Sequence, residues 1–356
     1  FLLVQLYDGL ERYTETNETE SKTLIRFPTN RAELFDQYLR AVIAPETDPG
    51  FAGRALEGIA LSTKRGQLAQ DDHLMRGYGL LARSASGRIE FVHELIQDFL
   101  VARALRLNPD FTPLKEQLDN PSWQNVILFY AGLGEARELV SALRERDIYL
   151  AAGALAQWRA APDDLRKSIA ADLIPRAWEG NDPRALDALA QLRSNEAVEA
   201  FAAKLKDKDA QVRARAADAL GALDNDRALE PLLPQLRDID ANVRVRVVSA
   251  LGMSKSERVL EPLLVALRGD ARMIKTDEAS RIAAAHALGR IGSERAVPAL
   301  IVDLQIGAEP VRAAAAEALM QIRSDLSIRP LQDLMAKYPK PEVREAAQQI
   351  LSVVTK

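Results

Sequence analysis

The sequence contains no cysteine and no apolar run of the roughly 18 residues that would span a bilayer. Without thiols the chain has no disulfide, thiolate metal site or cysteine nucleophile, and we expect a cytoplasmic location. An excess of one charge is missing too, because 47 Lys+Arg against 51 Asp+Glu give a formal charge of −4. We therefore do not expect a basic surface that holds nucleic acid by counterion release, and neither nucleic acid nor a membrane is a predicted partner.

A starting methionine, a secretory leader and a phosphate-binding loop are also missing. The chain opens with FLLVQLYDGLERY, without a basic region before the apolar run, and we interpret it as an internal fragment. No G-x-x-x-x-G-K-[ST] motif occurs, so nothing in the sequence is suited to hold β- and γ-phosphates. We expect no catalytic residue, metal site or cofactor in this fragment by itself.

Aromatic residues are scarce in the second half of the chain. Of the 19 aromatic residues, 14 fall in residues 1–130 and only five follow. The same first 130 residues carry 14 basic and 18 acidic side chains, whereas the remainder is balanced. Because the two halves must fill their cores differently, we predict two architectures in one chain.

The second half repeats with a step of 31 to 37 residues, which is typical of helical solenoids. A Val-Arg or Ser-Arg pair marks each repeat, and prolines recur at a similar step. The arginines are Arg213, Arg244, Arg281, Arg312 and Arg344, and the prolines are Pro231, Pro262, Pro298 and Pro330. Five repeats are predicted from about Ser194 to the end of the chain.

Each repeat is predicted to contain two helices. The first has apolar residues at helical spacing, with the proline in or near its first turn. The second is predicted to begin after an aspartate N-cap and to end at a glycine in the left-handed conformation. The aspartates are Asp209, Asp240 and Asp277, and the glycines are Gly221, Gly252 and Gly289. The last two repeats lack both, which indicates the capping end of an array.

These features resemble HEAT repeats, particularly the short units of phycobilisome lyases, and imply an α-solenoid. The arginine column could bind phosphate, but the repeat-start aspartates favour an internal Arg–Asp ladder that joins the units. A lyase would need aromatic side chains to stack on a tetrapyrrole, and Tyr338 is the one aromatic residue beyond Phe201.

The first half has another pattern. Helical spacing of apolar residues predicts helices at 2–10, 31–43, 53–64 and 94–107. Residues 80–84 and 88–92, with a Ser-Gly turn between them, predict a β-hairpin. Helices followed by a hairpin and another helix indicate a winged-helix-like module. The fold class is therefore mostly α: a winged-helix-like module with one β-hairpin, followed by an α-solenoid of HEAT-like repeats.

Several segments resemble NACHT-type signalling NTPases of the STAND class. FVHELIQDFLVARA (91–104) is similar to the F-x-H-x-x-x-Q-E-[FY]-x-A-A motif that ends their winged helix, with Asp98 and Val101 as departures. PTNRAELF (28–35) is similar to a motif of their small helical domain, FLLV (1–4) to the residues after their sensor, and PSWQNVILFYAG (121–132) to the start of their superhelical region. The resemblance implies a truncated helical domain (1–47), a winged-helix-like domain (48–106), an irregular helical connector (107–193) and five HEAT-like repeats (194–356).

That resemblance implies a nucleotide switch in a longer protein. ADP would hold an upstream nucleotide-binding domain closed against the winged helix, and exchange for ATP with Mg²⁺ would open it into an oligomer. By the resemblance His93 contacts the ADP β-phosphate. From the residues alone, His93 could equally cap the helix that follows it or pack internally.

The predicted function is the regulatory and sensor part of such a switch, with the solenoid binding a protein or another macromolecular ligand. One alternative is a HEAT-repeat scaffold without nucleotide dependence, and another is a lyase-like protein. The longer spacing before Arg281 suggests that residues 269–278 form a loop that contacts the ligand. Neither His73, beside Asp71 and Asp72, nor His286, inside a repeat helix, is a predicted metal ligand.

Overall fold

A computed structural model of the chain describes residues 30–43, 49–65, 80–83, 89–108, 110–223, 225–254, 256–268 and 277–355. The predicted helix at 2–10, His73 and most of the loop at 269–278 lie outside these residues. The described part is mostly helical, with 19 α-helices and one two-stranded hairpin, which confirms the predicted mostly α class with one β-hairpin. By compactness the chain divides into an N-terminal unit, residues 1–169, and a C-terminal unit, residues 170–356.

The N-terminal unit contains helices and the hairpin. In chain order its elements are α1 (Arg31–Ile43), α2 (Pro49–Lys64), β1 (Leu81–Arg83), β2 (Ile89–Phe91), α3 (Glu94–Leu107), α4 (Thr112–Lys115), a 3-10 turn (Pro121–Trp123), α5 (Gln124–Gly132), α6 (Arg137–Arg144), α7 (Ile148–Gln157) and α8 (Asp163–Trp178), in which the unit boundary falls. The helices at 31–43 and 94–107 have the predicted bounds, whereas α2 begins at Pro49 and not at residue 53.

The hairpin leads directly into α3. Its strands pair antiparallel with Ala82 opposite Glu90, which confirms the sequence prediction. Leu80 and Leu81 are buried, and the Val92 amide donates to the Leu80 carbonyl at 2.9 Å. Residues 66–79, where a winged helix would place its recognition helix, lie outside the described residues, so the winged-helix assignment stays a prediction.

Three phenylalanine side chains form the centre of the N-terminal core. Phe35 of α1, Phe99 of α3 and Phe129 of α5 are 3% exposed or less. Their ring centroids lie 5.1 to 5.7 Å apart, in tilted and edge-on arrangements that aromatic quadrupoles favour. Large aromatic side chains thus join three helices that are distant in sequence.

The C-terminal unit is a series of helix pairs. After α9 (Pro183–Gln191), the first helices of the pairs, called A helices, are α10 (Asn195–Lys204), α12 (Asp226–Leu232), α14 (Leu260–Arg268), α16 (Val297–Ile306) and α18 (Ile328–Lys337). The second helices, called B helices, are α11 (Ala210–Ala222), α13 (Ala241–Leu251), α15 (Glu278–Ile291), α17 (Glu309–Ile322) and α19 (Pro341–Val354). A 3-10 segment follows α12 at Leu233–Arg237, and 3-10 turns precede α14, α16 and α18.

Aspartate side chains cap the first three B helices. Asp209 accepts from the Gln211 amide at 2.8 Å, and Asp240 and Asp277 cap α13 and α15 in the same way. Each carboxylate satisfies amides that have no partner within the helix. The last two B helices lack a side-chain cap and instead carry a proline in the first turn, where a missing N–H matters least.

The predicted left-handed helix ends at Gly221, Gly252 and Gly289 are wrong. Gly221 and Gly289 lie inside α11 and α15, and Gly252 has a right-handed φ of −72°. Each glycine faces the next B helix, where a Cβ would lie 2.8 Å from the Cα of Ala250, 2.9 Å from that of Ala287 and 2.9 Å from that of Ala318, respectively. These glycines are therefore required by close helix packing, because those separations leave no room for a side chain.

The prolines of the A helices were predicted in or near the first turn. Pro262, Pro298 and Pro330 lie within the first three residues of α14, α16 and α18. Pro231 is different, because it is the sixth residue of α12, and the α-helix gives way to a 3-10 segment at Leu233. A proline inside a helix has no amide to donate and crowds the preceding turn, which fits this early end.

Candidate functional site

His93 lies at the junction of the hairpin and α3. It occupies the N-cap position with extended backbone angles, φ −141° and ψ 123°, and its carbonyl accepts from the Ile96 amide at 3.0 Å. Its side chain makes no capping bond, and within the described residues its Nδ1 is buried without a hydrogen-bond partner. The side chain therefore does not cap α3, and the nucleotide contact stays a prediction.

Segments singled out by the NACHT resemblance meet in the N-terminal unit. Asn30 accepts from the Glu33 amide at 2.9 Å and so caps α1. Its Nδ2 donates to the carbonyls of Gly132 at 3.2 Å and Gln157 at 3.1 Å, at the ends of α5 and α7. Together with the three-phenylalanine cluster, these bonds give the motif residues a structural role.

Polar side chains join α2 to α3 along a line that we call the polar seam. Lys64 Nζ lies 2.6 Å from Asp98 Oδ1, Gln97 donates to Thr63 Oγ1 at 2.7 Å, and Arg103 Nε lies 2.8 Å from Glu57 Oε1. The buried carboxylates thus face cations from the neighbouring helix.

Burial dominates the ionisation of these carboxyl groups. Asp98 is fully buried, which raises its pKa, and the Lys64 ammonium offsets only part of that rise. Burial likewise raises the pKa of Glu57, against the opposing charges of Arg103 and Arg54. Both carboxylates would be costly to leave buried without their cations.

The arginine column of the C-terminal unit forms ion pairs between consecutive repeats. Arg213 binds both carboxylate oxygens of Asp238, Nε to Oδ2 and Nη2 to Oδ1, each at 2.7 Å. Its Nη1 also donates to the carbonyls of Asp207 at 3.0 Å and Lys208 at 3.1 Å, before its own helix. One guanidinium thus binds backbone carbonyls of its own repeat and the carboxylate of Asp238, which lies just before the B helix of the next repeat.

The next two arginines bind in related ways. Arg244 Nε donates to Asp277 Oδ2 at 3.0 Å, and its Nη1 donates to the Asp238 carbonyl at 2.8 Å. Arg281 Nε donates to the Leu267 carbonyl at 3.1 Å, and its Nη2 pairs with Asp303. The partners along the ladder are therefore Asp238, Asp277 and Asp303.

The column changes towards the end of the array. Arg312 donates to the Gly307 carbonyl at 3.0 Å, and Arg344 is exposed. In the described part of the chain, neither forms an ion pair within 4 Å. Of the repeat-start aspartates, Asp277 both caps a helix and accepts from the column, whereas Asp209 and Asp240 cap helices without pairing to it.

The ladder aspartates differ in ionisation. Burial raises the pKa of Asp238, but the bonds from Arg213 and the Asp240 amide outweigh burial, so this pKa is lowered overall. The pKa of Asp277 is lowered in the same sense, as the Ser280 amide and Arg244 outweigh burial. For Asp303 burial prevails over Arg281, and its pKa is raised. In the pairs of Asp238 and Asp277, hydrogen bonds and opposite charge thus outweigh the cost of burying the carboxylate, and in the pair of Asp303 they do not.

A second ladder, which the sequence analysis missed, joins the A helices. Arg258 Nη2 lies 2.9 Å from Glu230 Oε1 of the preceding repeat, and Arg295 Nη2 lies 2.5 Å from Glu261 Oε1. The signal was available, because an arginine three residues before a glutamate recurs at 227–230 and 258–261. Repeat alignment on the Val-Arg and proline landmarks alone passes over it.

The first position of this second ladder is open. Glu199 and Arg227 occupy the positions equivalent to Glu230 and Arg258, yet in the described structure they form no ion pair. An open groove of about 430 Å³ lies there, which we call the A-helix groove. Its lining residues are Asn195, Val198, Glu199, Asp226, Arg227, Glu230 and Arg258.

The remaining candidate residues lie apart from this groove. His286 is about one-third exposed, with Nδ1 3.6 Å from Glu317 Oε2 on the next B helix. The Tyr338 hydroxyl donates to the Gln305 carbonyl at 2.6 Å. Within the described ranges, no three His, Asp or Glu side chains converge as a metal site, and no helix there is long and apolar enough to cross a membrane.

Comparisons with known proteins agree with the repeat architecture. The family model of HEAT repeats matches residues 182–238, 198–276 and 271–352. No curated protein matches the sequence. An engineered protein of known structure is 17% identical with a TM-score of 0.32, over 98% of this chain and 99% of that chain. Human deoxyhypusine hydroxylase in complex with glycerol is 20% identical with a TM-score of 0.20, over 68% of this chain and 98% of that one.

Those two TM-scores are too low to support an argument about fold or function. The family match and the helix pairs carry the conclusion by themselves, since the matched stretches run from α9 into α19. Residues 182–352 therefore consist of HEAT repeats, a helical array of the kind that typically serves protein interaction.

Proposed function

We propose that the chain is a protein-binding scaffold whose HEAT array presents the binding surface. The observation that carries this proposal is the pairing of consecutive repeats by two ladders and by glycine contacts, with the A-helix groove left open. A stack of repeats fixed in this way offers a long surface that is already ordered before a partner arrives. Less conformational freedom is then lost on binding.

Site-specific photo-crosslinking tests the scaffold. A photoreactive amino acid replaces Arg227 at the groove or, in a matched variant, Leu107, an exposed residue at the end of α3 in the N-terminal unit. In cells of the source organism we expect the groove variant to form a discrete adduct with another protein, identified by mass spectrometry. Absence of adducts from Arg227 and from further exposed positions on the A and B helices would contradict the proposal.

A second candidate is the regulatory part of a NACHT-type NTPase, with His93 contacting ADP held by an upstream domain. The observation that favours it is the meeting of α1, α3 and α5, which carry the resembling segments, at Phe35, Phe99 and Phe129.

The mass of the natural gene product tests this second candidate. We expect a product at least about twice the 39.2 kDa of this chain, with a phosphate-binding-loop peptide before Phe1. In that product His93→Ala should weaken ADP retention, and His286→Ala should not. A gene product that begins near Phe1 would eliminate the switch and leave the scaffold.

A further inference from the structure

The A-helix groove differs from the rest of the array in its charge pairing. At the next two positions on this face an arginine pairs with the glutamate of the preceding repeat, as Arg258 does with Glu230 and Arg295 with Glu261. At the first position both Glu199 and Arg227 are exposed and without an ion pair in the described chain. The groove therefore lies where the ion pair seen at the next two positions is missing, although both residues of the pair are present.

The surrounding face is acidic although residues 131–356 are balanced overall. The first five residues of the first four A helices, together with the 3-10 turns before α14 and α16, carry seven carboxylates and three guanidinium groups. These are Glu196, Glu199, Asp226, Glu230, Glu257, Glu261 and Glu294 against Arg227, Arg258 and Arg295. The helix dipole stabilises carboxylates in the first turn of a helix. It does not account for the carboxylate of Glu199, which lies in the second turn of α10. The summed field on this face attracts cations.

The groove also has a floor that suits long basic side chains. Val198, which is 6% exposed, lines the groove together with Glu199 and Asp226. Lysine and arginine place apolar methylene groups on such a surface while their charged ends reach carboxylates at the rim. The groove volume of about 430 Å³ lies within the usual range of binding clefts.

We propose that the A-helix groove binds a protein segment rich in lysine and arginine, with Glu199 and Asp226 as the main contacts. This inference rests on the proposed scaffold function and adds the site and the chemistry of the partner. Arg227 opposes such a segment, since it places a positive charge in the same groove. Removal of Arg227 should therefore strengthen binding, an effect opposite to that expected for an acidic partner.

Fluorescence anisotropy with two labelled peptides tests the proposal on the full chain. One peptide contains arginine and alanine with a net charge of about +6, and the other contains glutamate and alanine with the opposite charge, in about 0.15 M salt. We expect the basic peptide to bind. The double variant Glu199→Lys with Asp226→Lys should bind it about tenfold more weakly, and Arg227→Ala about threefold more tightly.

Two further variants make the result specific. Glu199→Gln with Asp226→Asn tests the charges without a lysine at a helix start and should weaken binding about threefold. Glu342→Lys with Glu345→Lys changes the net charge equally on the exposed side of α19 and should leave binding unchanged. Circular dichroism of every variant must match that of the parent.

Three outcomes would overturn the inference: no binding of the basic peptide, equal weakening by the α19 variant, or preference for the acidic peptide with weaker binding by Arg227→Ala. Failure here is distinct from failure of the scaffold. If the photoreactive variants capture a partner while the groove charges have no effect, the scaffold stands and the groove is not its site.

Discussion

The helices of the two units are joined by different kinds of contact. In the N-terminal unit, Phe35, Phe99 and Phe129 fill one shared centre, and a polar seam with buried charges joins α2 to α3. In the C-terminal unit, helices are joined by small residues such as Gly252 and Ala287, repeated from helix to helix, and by Arg–acid ladders. Arg244 and Asp303 of the first ladder are buried, whereas the Glu230–Arg258 pair of the second ladder is exposed.

The two units differ in how many helices the loss of a single contact destabilises. A shared aromatic core is a single cooperative centre, so loss of one ring affects three helices. A repeat array consists of similar neighbour contacts, so loss of one contact weakens a single junction. We therefore expect the N-terminal unit to respond to core truncation more strongly than the C-terminal unit responds to any one junction variant.

The largest effect should come from Phe99→Ala. Loss of a ring that is fully buried between Phe35 and Phe129 should lower the free energy of unfolding of the N-terminal unit by about 4 kcal/mol. Urea unfolding followed by Trp123 and Trp158 fluorescence, in a Trp178→Phe background, measures it. Phe111→Ala, at a half-buried ring, is the control and should cost about 1 kcal/mol. Equal losses in the two variants would contradict a single aromatic centre.

Lys64→Met should have the second-largest effect. It should lower the free energy of unfolding of the N-terminal unit by about 3 kcal/mol, because it leaves the Asp98 carboxylate buried without its cation. The same fluorescence measurement applies. Since the pKa of Asp98 is raised, protonation is favoured in the folded state, and the penalty should grow as the pH rises through that pKa. The double variant Lys64→Met with Asp98→Asn should recover most of the loss, and no recovery would show that Lys64 acts through packing alone.

Gly252→Ala tests the junctions of the array and should destabilise it by about 2 kcal/mol, because the new Cβ would lie 2.9 Å from the Ala287 Cα. Hydrogen exchange should increase in α13 and α15 more than in α19. Gly58→Ala, in α2, is the matched control, since a Cβ there meets nothing within 4 Å. Its free energy of unfolding should rise by about 0.5 to 1 kcal/mol, because alanine has a higher helix propensity than glycine. A gain at both positions would refute the packing role of Gly252.

Asp238→Asn should have a smaller effect than these three variants. It should lower the free energy of unfolding by about 1.5 kcal/mol at pH 7, because it removes the charge of the carboxylate that accepts two bonds from Arg213. Because the pKa of Asp238 is lowered below its usual 3.8, this stabilisation is present above that value and is lost as the pH falls through the folded-state pKa. Urea unfolding at pH 7 and at about pH 3 should show the gap closing.

Asp303→Asn is the comparison within the ladder. Because the pKa of Asp303 is raised, its ionisation opposes folding. Asp303→Asn should therefore lower the free energy of unfolding by less than Asp238→Asn does. A larger loss for Asp303→Asn than for Asp238→Asn at pH 7 would reverse the order proposed for these pairs.

Much of the repeat unit was predictable from local pattern. The step between arginines, the aspartate caps and the helix pairs all follow from residues close in sequence. The role of Gly221, Gly252 and Gly289 did not follow, because a glycine near a helix end has the same local signal whether it turns the chain or admits a neighbouring helix. The ladder partners Asp238 and Asp303 were missed for the same reason: nothing local distinguishes a surface aspartate from one that meets an arginine of another repeat.

In the N-terminal unit, the helices at 31–43 and 94–107 and the hairpin were predictable from periodicity and a turn. Their meeting at one aromatic centre, and the pairing of Lys64 with Asp98, required the tertiary structure.

The sequence by itself determined the helices and their caps, because those depend on side chains within about one or two turns of each other. It also determined the repeat step, because the same local pattern recurs every 31 to 37 residues. Only the tertiary structure decided which glycines admit a neighbouring helix, which acids pair with the arginine column, and that Glu199 and Arg227 share an open groove. The physical reason is distance along the chain: partners separated by one repeat or more are brought together by packing of whole helices, which local periodicity does not specify.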